Sequence, residues 1–86
     1  MLTKSIDEEL LVKELTLGSQ KAFQVLFMRY YPKIRGFVYG LVKSEQDAED
    51  ISQEVFSKVW GNRDKFADVK NFGAYLFILS KNTTFN

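Results

Sequence analysis

At 86 residues the chain is long enough for one small domain, near the lower limit at which a hydrophobic core suffices alone. Its 45% apolar content, with 15% aromatics, is that of a folding chain and not of a disordered tail. Without a single Cys or His there is no disulfide framework, no thiolate zinc site and none of the usual nucleophile–base pairs.

An enzyme built on this chain would have to work with carboxylates and lysines alone, and no paired-carboxylate pocket can be read from the sequence. No cofactor is called for. The N-terminal residues Met1 to Lys4 lead straight into Asp7-Glu8-Glu9, without the apolar core of a signal peptide. The longest apolar run, Ala74 to Leu79, is far too short to span a bilayer. The default expectation is a cytoplasmic protein.

In chain order, Ser5 with Glu8 three residues on has the capping-box spacing, which predicts a short helix over residues 6–16. Gly18 ends it, and Ser19 can cap the next. Ala22, Phe23, Leu26, Phe27, Tyr30, Ile34, Phe37, Val38, Leu41 and Val42 then keep an i, i+3, i+4 register, the mark of a long amphipathic helix. Pro32 lies inside it, so a kink is expected near Arg29 to Pro32. Ser44 opens a third helix running to about Trp60, with Gly61 and Asn62 as stop residues. Its inward side is Ala48, Ile51, Ser52, Val55, Phe56 and Val59. The segment from Gly61 to Asn71 has no sustained period and reads as a loop with one aromatic, Phe66. A last helix starts between Val69 and Phe72 and runs through Tyr75, Leu76 and Leu79 toward Thr83. A strand over 75–79 would have nothing to pair with. The expected fold is all-α, a compact bundle of three to four helices forming one domain over residues 1–86.

The net charge of +1 hides a division: residues 1–43 carry +3, residues 44–60 carry −4 and residues 61–86 carry +2. Acids in the first turn of a helix complement its dipole, which accounts for Glu45, Asp47 and Glu49. Glu54 lies too deep in the helix for that. With Asp50, Gln53 and Ser57 it forms a polar, mostly acidic face opposite the apolar one, a surface suited to a basic partner.

Four blocks then point to a family. They are Ala22-Phe23 with Tyr30-Tyr31-Pro32; Asp47-Ala48-Glu49-Asp50-Ile51-Ser52-Gln53-Glu54-Val55-Phe56; Phe72-Gly73-Ala74-Tyr75-Leu76; and Ser80-Lys81-Asn82. Together they resemble region 2 of bacterial RNA polymerase sigma factors, of the extracytoplasmic-function (ECF) type. The resemblance implies that the acidic helix docks on the clamp helices of the polymerase β′ subunit, through Asp50, Gln53 and Glu54. It implies that the following segment recognises the −10 promoter element as single-stranded non-template DNA, with one base flipped into a pocket. The matching positions are Arg63, Lys65, Phe66, Lys70, Asn71, Tyr75, Lys81 and Asn82. Anti-sigma proteins bind the same family.

That role fits the chemistry of these residues. Unpaired bases stack on aromatics at about 1–3 kcal/mol each, cations neutralise phosphates, and an amide reads a base edge. Two departures stand out: many relatives have a Trp where this chain has Tyr75 and a basic residue where it has Ile78. Nothing here corresponds to region 4, the −35-binding domain, so an isolated or truncated region 2 is expected. The competing reading is a helical adaptor or anti-sigma-binding module that uses the acidic face alone. The basic, aromatic stretch from Arg63 to Lys81 argues against it, since such an adaptor has no use for one.

Overall fold

The computed structural model describes the backbone of residues 4–86 and the side chains of residues 8–86. It contains α1 (Lys4–Thr16), α2 (Gln20–Val42), α3 (Glu45–Gly61), a 3-10 helix (Arg63–Asp68) and α4 (Phe72–Phe85). Among the described residues there is no strand, and the all-α expectation holds.

Local chemistry sets most of the boundaries. Gly18, at φ +95°, closes α1 with paired bonds from Gly18 N to Leu15 O (2.9 Å) and Ser19 N to Glu14 O (3.0 Å). Glycine takes this left-handed turn without the steric cost of a Cβ. Ser19, Ser44 and Asn71 cap α2, α3 and α4, each side-chain oxygen accepting the amide three residues on, at 3.0, 3.2 and 2.9 Å. Ser5 is not a cap: α1 already includes Lys4, and the Glu8 carboxylate is engaged by Arg29 and Tyr30 of α2. α2 runs unbroken through Pro32, which takes away the amide donor that the Met28 carbonyl would use.

The long helix α2 is the central element, packing on α1, α3 and α4, while α1 also closes over the 3-10 helix. The core is formed by Leu15, Leu26, Ile34, Val38, Val55, Phe56, Val59, Phe66, Phe72 and Leu76, all nearly free of solvent contact. The inward side of α3 matches the helical wheel, with Ile51 half-buried and Ala48, Ser52, Val55, Phe56 and Val59 buried. Two aromatic clusters flank this core. Phe23, Phe27, Phe56 and Trp60 join α2 to α3, and Tyr30, Phe66, Phe72 and Tyr75 join α2, the 3-10 helix and α4.

Candidate functional site

On α3, Asp50, Gln53, Glu54 and Ser57 are all exposed, opposite the buried residues of the same helix. Gln46 donates to Asp50 Oδ1 at 3.1 Å, and Lys58 Nζ lies 3.6 Å from Glu54 Oε2. The same ammonium donates to Thr83 Oγ1 at 3.1 Å, so Lys58 ties the edge of the acidic face to α4. The Glu54–Lys58 pair is solvent-exposed and worth little to stability, so giving it up for a basic partner costs little.

The second surface is formed by the 3-10 helix, its exit and α4. Lys65, Lys70, Lys81 and Asn82 are exposed. Asn71 is exposed too, but its side-chain oxygen is committed to the cap of α4. Arg63 lies back on the end of α3, its guanidinium 4.2 Å from the Trp60 ring centroid and Nη1 donating to Trp60 O at 2.8 Å. Tyr75 is half-buried, with its ring edge-on to Phe66 at 5.0 Å. No acidic residue occurs in α4, and Ile78 and Phe85 are exposed on it.

Phe66 requires a correction. Its ring is only 2% exposed, wedged between Phe72 (5.3 Å) and Tyr75 (5.0 Å), so it is core and not a stacking platform at the surface. Truncating it would remove a buried aromatic, at a cost of about 3–5 kcal/mol. The segment expected as a loop is a 3-10 turn for the same reason: winding Arg63–Asp68 tightly turns Phe66 inward. Beside it, α1 and the exit of the 3-10 helix enclose an open cleft of about 830 Å³. Glu8, Glu9, Val12 and Lys13 form one wall, residues 67–72 form the other, and Phe66 lies in the floor.

With these surfaces in view, the comparison with known proteins is specific. Residues 26–86 match the family model described as Sigma-70 region 2. The chain belongs to this family. It is 33% identical, over all of its 86 residues, to the RNA polymerase sigma-H factor of Pseudomonas aeruginosa, covering 44% of that protein. It is 32% identical over 85 residues to the ECF RNA polymerase sigma-E factors of Escherichia coli K12 and of Salmonella typhimurium LT2, covering 99% of this chain and 44% of each. The chain thus spans less than half the length of the curated relatives it matches. No solved structure gives a significant match.

Two features of this region 2 domain escaped the sequence reading. One is the tie between α1 and α2. The Tyr30 hydroxyl donates to Glu8 Oε1 and Oε2 (2.9 and 2.8 Å), and Arg29 Nη1 donates to Glu8 Oε1 at 3.2 Å. Burial first, then the hydrogen bond to Glu8 and its charge, push the Tyr30 hydroxyl from the ordinary 10.0 up to about 12. The other is an apolar cleft of about 440 Å³ lined by Gln20, Phe23, Gln24, Phe27 and Trp60. The i, i+3, i+4, i+7 spacing of the four α2 residues was visible, but the contribution of Trp60 depends on how α3 packs.

Proposed function

We propose that the chain is a transcription initiation module that docks on the β′ clamp helices of RNA polymerase core and captures the −10 element as single-stranded non-template DNA. The observation that carries this reading is the separation of two exposed surfaces within a region 2 domain. The face of α3 holding Asp50, Gln53 and Glu54 is acidic, whereas the 3-10 helix, its exit and α4 offer Lys65, Lys70, Lys81 and Asn82; Asp64 and Asp68 are the carboxylates of the 3-10 helix, and α4 has none.

An acidic face suits a basic helical partner, where charge complementarity sets orientation and the rate of encounter. A surface of lysines and amides suits a nucleic acid, with the cations on phosphates and Asn82 on a base edge. With Phe66 in the core, base stacking falls to Tyr75. The cleft between α1 and residues 67–72 is the receptacle for a flipped base, an event that costs a few kcal/mol and is offset by contacts inside the pocket. Strand opening then follows from selective binding of the unpaired state, and no covalent step is needed. No helix among the described residues is long and apolar enough to cross a membrane, and the site of action is the cytoplasm, beside polymerase and promoter. Anti-sigma proteins would compete for these same surfaces.

The test is a pull-down with polymerase core. Asp50→Ala combined with Glu54→Ala is expected to abolish capture while leaving the far-UV circular dichroism unchanged, since both side chains are exposed. Retained capture would sink the docking half of the proposal. For the DNA half, a selection of preferred single-stranded sequences bound in the presence of core should return a defined motif. A pool no different from its input would remove base recognition.

A further inference from the structure

The apolar cleft at the end of the acidic face belongs to neither surface described so far. On α3, Gln53, Ser57 and Trp60 stand at i, i+4 and i+7, so Trp60 is the next side chain along the edge of that face. On α2, Gln20, Phe23, Gln24 and Phe27 line the cleft at i, i+3, i+4 and i+7. The aromatic floor is preorganised. Phe23 packs against Trp60 at 5.3 Å and against Phe56 at 6.5 Å, Phe27 meets Phe56 edge-on at 5.0 Å, and the Arg63 guanidinium lies over the Trp60 ring. Gln20 and Gln24 are exposed and form a polar rim.

A fixed aromatic floor, a polar rim and an adjoining charged face make up the anatomy of a protein–protein hot spot, in which a buried tryptophan dominates the energy and rim polar groups exclude water. We infer that this cleft is the hydrophobic anchor of the polymerase-docking surface, receiving an aliphatic side chain from the same basic partner helix that pairs with Asp50 and Glu54. The inference rests on the docking reading above and adds to it the kind of partner. The helix that binds here carries its basic residues on the stretch facing α3, and an aliphatic residue within one or two turns of them. The acidic face supplies orientation and the cleft supplies the slow release, because charge complementarity acts mainly on encounter and desolvated apolar contact on dissociation.

The test uses the 86-residue chain and purified bacterial RNA polymerase core. Gln24→Phe fills the mouth of the cleft from an exposed position and does not disturb the core. It is expected to weaken core binding about tenfold, chiefly through faster dissociation, whereas the same aromatic placed at the exposed Val25, outside the cleft (Val25→Phe), binds like the parent chain. Trp60 is the only tryptophan in the sequence, so replacing it with 5-hydroxytryptophan gives a reporter that can be excited apart from the tryptophans of the polymerase. Its emission is expected to shift to the blue when core binds, as water leaves the cleft. Parent-like binding by Gln24→Phe, or an unmoved emission on binding, overturns the inference. If Asp50→Ala with Glu54→Ala abolishes binding in the same assay, the docking reading survives that loss. If the acidic variant binds unchanged as well, the docking reading is what has failed.

Discussion

The Tyr30 hydroxyl donates to both oxygens of Glu8 while its ring lies edge-on to Phe72 at 5.7 Å, so one residue of α2 touches both α1 and α4. A hydrogen bond to a charged acceptor is worth about 1.5–3 kcal/mol, and this one is half-exposed, which puts it at the lower end. The folded state holds the Tyr30 proton more tightly than the unfolded chain does, about 12 against 10.0. The stabilisation is therefore complete below pH 10.0 and is lost as pH rises through about 12. Tyr30→Phe is expected to lower stability by about 1–2 kcal/mol near neutral pH. The gap to the parent chain should close across that alkaline window, which urea melts over a pH series would follow. A gap that stays constant through it would mean that the loss is one of packing, not of the hydroxyl.

Among the helices, the start of α4 is closely fitted to α2 at Gly73. A Cβ on Gly73 would lie 3.0 Å from Tyr30 Oη and 3.1 Å from its Cε1, whereas one on Gly40 of α2 meets nothing within 4 Å. Replacing a helical glycine with alanine gains about 1 kcal/mol in propensity, and overpacking costs about 1–3 kcal/mol. Gly40→Ala is thus expected to stabilise the domain and Gly73→Ala to destabilise it. In a Tyr30→Ala background the sign at Gly73 should reverse, because the obstacle is gone. Thermal melts of the single and double variants would check the cycle. The same contrast explains what the sequence could convey about the fold. Caps at Ser19 and Ser44, the turn at Gly18 and the register of α2 and α3 depend on near neighbours, so they were legible. The 3-10 helix has only six residues and no apolar period, and the burial of Phe66 depends on Phe72 and Tyr75 arriving from α4. Glu8 had the spacing of a local cap, yet its partners lie 21 and 22 residues away. The polar face of α3 was readable because one helix carries all of it, while the two clefts each need a second element to exist.

At the scale of the whole molecule, charge is distributed by surface, with −4 over residues 44–60 and +2 over residues 61–86. Lys58 stands between the two, reaching Glu54 on one side and Thr83 on the other. If the basic surface takes single-stranded DNA, each neutralised phosphate releases bound counterions, and log K falls with log salt by about 0.7 per contact. Lys70 and Lys81 project from exposed positions at either end of this surface, whereas Arg63 is held on Trp60. Lys70→Ala with Lys81→Ala is therefore expected to weaken binding to all single-stranded sequences alike and to flatten the salt slope by about 0.7 for each lysine. Arg63→Ala should alter the slope less. Asn82→Ala should leave it unchanged and instead narrow the difference between preferred and random sequences, since an amide on a base edge releases no counterion. Fluorescence anisotropy of labelled oligonucleotides across a salt series separates these cases. A slope that survives loss of both lysines would place the phosphate track elsewhere, and an Asn82→Ala slope that flattens like theirs would make Asn82 a backbone contact and not a reader of bases.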